Sequence, residues 1–291
     1  MLGLSRTIVM NIRVLQIAET AQKAEAQAEF GKPFDESMRV SLLKSGMAGP
    51  AHQAKNCMGW VWRQWLLGTS KELISKKIEP FVARGLEMRA LCRSYHKLAL
   101  HDLYLLNCSI FGSSESQLNK VAESVADSYG DKGETPIDDG ELYAAAWCGM
   151  LKNWILGNTD NAFEQSHIIW KSHRESGVFA APKPLVIPWL RKDWKAFFKA
   201  QKSDFEKLWK RARKDGWTVR AENPNETVVT TDRYQIDHQW CWAHCGMAVL
   251  AHRLGNEVAT DPLWFPSAAI AAKPEGWLGI HRESPDQLKM F

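Results

Sequence analysis

The run Trp65-Leu66-Leu67-Gly68-Thr69-Ser70-Lys71-Glu72 holds a helix stop and a helix start within eight residues. An apolar periodic stretch closes on Gly68, where a residue without Cβ takes the left-handed conformation that ends a helix. Thr69, three positions before Glu72, then offers the next helix a capping box. The same punctuation returns in Trp154-Ile155-Leu156-Gly157-Asn158-Thr159 and in Leu254-Gly255-Asn256. Further starts are marked by Ser114 with Gln117, by Asp138 with Glu141, and by Ser284-Pro285-Asp286-Gln287, which has proline at the first helical position. Working outward, helices are expected at about 5–29, 34–46, 51–67, 70–94, 96–108, 114–128, 139–156, 160–174, 189–214, 237–254 and 262–272. The expected class is all-α, a multi-helix array of orthogonal or antiparallel helical hairpins.

Two stretches depart from helical periodicity. Alternating β-branched residues around Asn223-Pro224-Asn225-Glu226 read as a short β-hairpin near 217–231 or as a linker. Ala181-Pro182-Lys183-Pro184-Leu185-Val186-Ile187-Pro188 reads as non-helical, because proline lacks the amide donor and restricts its predecessor. A boundary is therefore expected there, between subdomains 1–180 and 181–291 or within one continuous domain. The three glycine stops lie 89 and 98 residues apart. That is too long and uneven for a solenoid, so they read as recurrent helix–turn–helix construction.

At 291 residues, with 45% apolar and 24% charged residues, the chain can bury a sizeable core without staples. Its outlier is a count of 14 Trp, which serve cores and interfaces equally. The six cysteines, Cys57, Cys92, Cys108, Cys148, Cys241 and Cys245, mostly sit in apolar helical patterns and read as reduced core thiols. Arg6 and Arg13 interrupt the apolar N-terminus, and no apolar run approaches 18 residues. Neither a signal peptide nor a membrane span is expected, and the expected location is cytoplasmic.

The most metal-like cluster is His238, Cys241 and Cys245, which share one helical face, with His244 and His252 nearby. Three ligands fall short of the usual zinc set, so the cluster reads as core cysteines and half-buried histidines, with no metal or other cofactor expected. A Cys/His nucleophile pair drawn from it has no supporting motif. There is no G-x-S-x-G, phosphate-binding glycine loop or H-E-x-x-H, and an enzyme is not expected.

The net charge of +4 is unevenly spread. Residues 189–217 carry ten Lys/Arg against four Asp/Glu, interleaved with Trp194, Phe197, Phe198, Phe205, Leu208 and Trp209. Basic plus aromatic is a nucleic-acid footprint, although an amphipathic helix that buries its aromatic stripe gives the same pattern and is favoured. Residues 123–141 carry seven acids against Lys132 alone. An exposed acidic loop there reads first as a solvated connector, and its residues, chiefly Asp131, Glu134, Asp138, Asp139 and Glu141, are the best candidate surface by charge for a basic protein partner.

The C-terminal run Tyr234-Gln235-Ile236-Asp237-His238-Gln239-Trp240-Cys241-Trp242, followed by Asp261-Pro262-Leu263-Trp264-Phe265-Pro266, resembles the end of bacterial immunity proteins of the PoNi type. The resemblance covers about the final 60 residues. It implies a helical inhibitor, without cofactor, that binds and neutralises a cognate DNase toxin delivered by contact-dependent or type VI secretion. Where the family helix carries a glutamate shortly after its Trp, this chain has Ala243, His244 and Cys245, so no role of that acid transfers. Trp240, Trp242, Asp261, Trp264, Phe265 and Pro266 match motif positions that look structural. The alternative is a nucleic-acid-binding or regulatory helical protein using 189–217.

Overall fold

A computed structural model of the chain describes residues 21–22, 24–92, 97–125, 139–176, 183–214, 218–223, 226–230, 239–261, 265 and 267–270. The Ser284-Pro285 helix start and most of the expected 5–29 helix lie outside these residues, with 24–28 helical. The named helices are α1 (Glu36–Ser45), α2 (Ala48–Leu66), α3 (Lys71–Leu91), α4 (Leu98–Gly112), α5 (Glu115–Ser124), α6 (Asp139–Ile155), α7 (Thr159–Ser176), α8 (Lys183–Leu190), α9 (Trp194–Lys214) and α10 (Gln239–Arg253). The class is all-α. Among the described residues one hairpin pairs β1 (Thr218–Asn223) with β2 (Glu226–Thr230), with Val219 opposite Val229.

Helix α4 is the axis of the fold. Thirteen of its 15 residues are buried, His101, Asp102, Asn107 and Ser109 among them, and the predominantly apolar LALHDLYLLNCSIFG offers no wide polar face to solvent. Helices α2, α3, α5, α6 and α10 all pack on it. Glycine permits the closest crossings. A Cβ at Gly246 of α10 would fall 2.5 Å from Asn107 Oδ1, and one at Gly112 would fall 2.5 Å from Ile78 Cδ1.

Four helices end in the same way. At Gly68, Gly157 and Gly255 φ is 70°, 82° and 82°. In each case the glycine N–H reaches a carbonyl three residues back, and the next N–H reaches one five residues back, as Asn158 does to Asn153 at 2.7 Å. This double bond satisfies the orphan carbonyls of the last turn. The fourth case carries no glycine. Lys192 adopts φ 55°, and Asp193 N–H reaches Pro188 O at 2.8 Å.

The structure corrects four expectations. Ser70, and not Thr69, caps α3 by accepting from Leu73 N–H, because Thr69 N–H is committed to Gln64 O. The proline run is helical from Lys183 to Leu190. Pro184 falls in the first turn, where no amide is needed, and Pro188 removes one amide while Leu185, Val186, Trp189 and Leu190 enter the core. The single helix expected over 189–214 is broken at Lys192 and restarts at Trp194, with Asp193 Oδ1 accepting from Ala196 N–H at 3.1 Å. Where a helix is expected over 262–272, the described residues instead give an antiparallel bridge between Asp261 and Phe265 and a short 3₁₀ turn at Ser267–Ala269.

One apolar cluster holds residues from both sides of 180/181, among them Trp65, Ile110, Trp147, Trp189, Phe197 and Leu250. A smaller one joins Leu42, Met47, Met88 and Leu98. Cations seal helix ends around the main core, Arg84 and Lys152 buried and Arg253 half-buried. Arg84 donates to Ala28 O, Glu29 O and Lys32 O. Arg253 donates to Ile110 O and Ser113 O, and Lys152 to Val125 O. Each places a positive charge where a helix presents its negative end.

Candidate functional site

Chemistry at sulfur requires a thiolate. Cys57, Cys108, Cys148 and Cys245 are all buried. Burial pushes the Cys57 thiol well above its ordinary range, helped by a hydrogen bond with Cys108, and burial does the same to Cys245. These two thiols are therefore neutral side chains of the core. Of the metal-like trio, Cys245 lies in that core, Cys241 occupies a backbone position on α10, and His238 lies outside the described residues. Among the described residues no three His, Cys, Asp or Glu converge as a metal site.

Among the described residues, His101 and Asp102, both buried, join the partly buried Arg89 in a polar group. Arg89 Nε donates to both Asp102 oxygens at 3.1 and 3.0 Å, and His101 Nδ1 lies 3.2 Å from Oδ1. Both His101 and Asp102 are closed to solvent. Their arrangement ties α3 to α4 and offers a substrate no approach.

Of the acidic segment, Asp131, Glu134 and Asp138 lie outside the described residues, and Asp139 opens α6. Glu141 departs from its expected place on an exposed surface. It is only 5% exposed, in the first turn of α6, where free amides favour a carboxylate. Glu123 is exposed on α5.

The basic segment divides by face. Phe197 and Gln201 are buried on α9, and Trp194 and Phe205 pack against the main core. Gln201 Oε1 accepts from Ala259 N–H at 3.1 Å. Lys195, Lys199 and Lys202 are exposed on the opposite side, and Arg191 and Lys192 in the turn before it.

In the C-terminal motif, Asp261 N–H donates to Phe265 O at 2.9 Å and Phe265 N–H to Asp261 O at 3.1 Å. This closure drives Phe265, 1% exposed, edge-on against Trp65 with ring centroids 6.3 Å apart. Trp65 in turn meets Phe111 of α4. Trp240 and Trp242 occupy positions on α10, while Trp264 and Pro266 lie outside the described residues. Sequence reading missed the pairing of Trp154 with Trp189. Each lies near a helix end, but nothing in a linear pattern joins positions 35 residues apart. No helix among the described residues is long and apolar enough to cross a membrane. Comparison with family models, with curated proteins and with solved structures finds no match.

Proposed function

We propose that the chain is an immunity protein, which binds and neutralises a cognate bacterial toxin through its surface and performs no chemistry of its own. The observation that carries this reading is the closed Asp261–Phe265 pair, with Phe265 seated on Trp65. In this reading Asp261 and Phe265, which stand at positions resembling those of PoNi-type proteins, serve in packing. The buried, neutral state of Cys57 and Cys245 also suits a protein that works by shape and charge.

The partner in this reading is a secreted nuclease toxin of bacterial competition, delivered by type VI or contact-dependent secretion and met in the cytoplasm. A nuclease cleft is basic because its substrate is a polyanion, so the complementary surface is acidic. Asp131, Glu134, Asp138 and Asp139 remain its members, and Glu141 is withdrawn because it is buried. Cells expressing a cognate nuclease toxin should survive when the chain is co-expressed, and the two should co-purify. Asp131→Lys/Glu134→Lys/Asp138→Lys should weaken the complex at least tenfold. Unchanged affinity removes this interface, and failure of the unmodified chain to protect removes the reading.

A further inference from the structure

The net charge of +4 comes from 37 Lys/Arg against 33 Asp/Glu. Residues 189–217 alone contribute +6, which leaves −2 for the remainder of the chain. Five of these cations have described side chains, and they gather at the start of α9, with the exposed Glu206 next along the same stripe. Lys195, Lys199 and Lys202 recur at i, i+4 and i+7 along α9, the spacing of a single helical stripe, and all three are exposed. Arg191 and Lys192 are exposed immediately before them. None of the five makes an ion pair among the described residues. The acid in their midst, Asp193, turns its carboxylate to the Ala196 amide as a helix cap.

We propose that this face binds the phosphate backbone of nucleic acid without sequence preference. At a rise of about 1.5 Å per residue the three lysines stand roughly 6 and 4.5 Å apart along the axis. Phosphates on a duplex strand advance by about 3.4 Å each, so the flexible lysine stems reach successive or alternate phosphates as point charges. Phe198, half-buried, lies 4.5 Å beneath the Lys202 ammonium and adds a ring beside the charged row. Two other anionic partners fit less well. An amphipathic helix lies on a lipid surface through its apolar side, and here Phe197 is buried and Trp194 and Phe205 pack into the core. A folded acidic protein is held chiefly by a buried apolar centre, whereas this row has cations at its centre. The inference is independent of the toxin-binding reading, which uses a different surface.

The test is fluorescence anisotropy of a labelled 20-base-pair duplex of mixed sequence and of its single strand, with the full chain, between 25 and 150 mM KCl. Three to five phosphate contacts give a slope of log K against log[salt] of roughly −3 to −4.5. Lys195→Gln/Lys199→Gln/Lys202→Gln, surface changes that keep the helix, should reduce affinity at least tenfold and flatten the slope by about 3. Its circular dichroism should stay unchanged. Lys44→Gln/Lys76→Gln/Lys120→Gln removes the same charge from exposed positions elsewhere and should leave affinity within twofold. No binding at 25 mM KCl overturns the proposal. So does an equal loss from both triple variants, or binding to anionic phosphatidylserine vesicles in place of the duplex.

Discussion

The indole of Trp189 lies over that of Trp154, with centroids 4.2 Å apart and planes inclined by 24°, while its Nε1–H donates to the Met247 carbonyl at 3.0 Å. One side chain thus fastens α8 to α6 by stacking and to α10 by a hydrogen bond. Trp189→Phe keeps a ring but loses the donor and part of the volume. It should destabilise the chain by about 1–3 kcal/mol, and Trp189→Ala by about 3–5 kcal/mol, measured by urea denaturation monitored by circular dichroism. Equal stability of Trp189→Phe and the unmodified chain would show that the bond to Met247 contributes nothing.

Lys192 holds φ 55° at a helix end of the type that glycine completes at three other places. A left-handed residue with a Cβ is strained by about 1–2 kcal/mol, partly offset by the greater unfolded-state entropy of glycine. Lys192→Gly should therefore stabilise by about 0.5–1 kcal/mol. The reverse change, Gly157→Ala, should destabilise by a similar or larger amount. Thermal denaturation of the two variants should give midpoint shifts of opposite sign.

The backbone of α10 approaches α4 at Gly246, where an added Cβ would lie 2.5 Å from Asn107 Oδ1. Gly246→Ala is expected to cost about 1–3 kcal/mol through overpacking. Combining it with Asn107→Ala removes the opposing oxygen. The double variant should recover part of that loss, and a double-mutant cycle should give a coupling of at least about 0.5 kcal/mol. Strict additivity would place the strain elsewhere.

Arg84 supplies three donors to the carbonyls of Ala28, Glu29 and Lys32. Arg84→Leu keeps much of the buried volume but leaves that helix end without its cation. A loss of about 2–4 kcal/mol is expected. Hydrogen exchange should quicken in 24–32 before it does in α4. Uniform acceleration across the chain would contradict a local role for Arg84.

The alkaline limit follows from buried acids. Cys57, Cys245 and Tyr104 are all raised by burial, so the folded state keeps protons that the unfolded chain releases. Their contribution is fully present below the unfolded values, about 8.5 for Cys and 10 for Tyr. Above these it is lost as pH rises toward the folded values, because the unfolded state then binds fewer protons. Stability should be flat in these groups to about pH 8 and then fall by up to about 1.4 kcal/mol per pH unit for each group titrating. Denaturation midpoints between pH 7 and 11 give the curve, and Cys57→Ala/Cys245→Ala should make it shallower. A curve of the same steepness in that variant would assign the effect to other groups.

Helix ends at Gly68, Gly157 and Gly255 and the start at Ser114 were legible in the sequence, because each is a local contract between neighbouring amides, carbonyls and a conformationally permissive residue. So was the inward aromatic stripe of Trp194, Phe197 and Phe205. The cap at Ser70 was misread because Thr69 beside it could also serve and its bond to the preceding turn decided between them, and the end at Lys192 was missed because no glycine marks it. The helix through Pro184 and Pro188 exists because Trp189 gains Trp154 and Met247 as neighbours, which outweighs a missing amide. Tertiary packing likewise buried Glu141 and closed Asp261 onto Phe265. Periodicity records which side of a helix is apolar, and only the assembled core decides what that side meets.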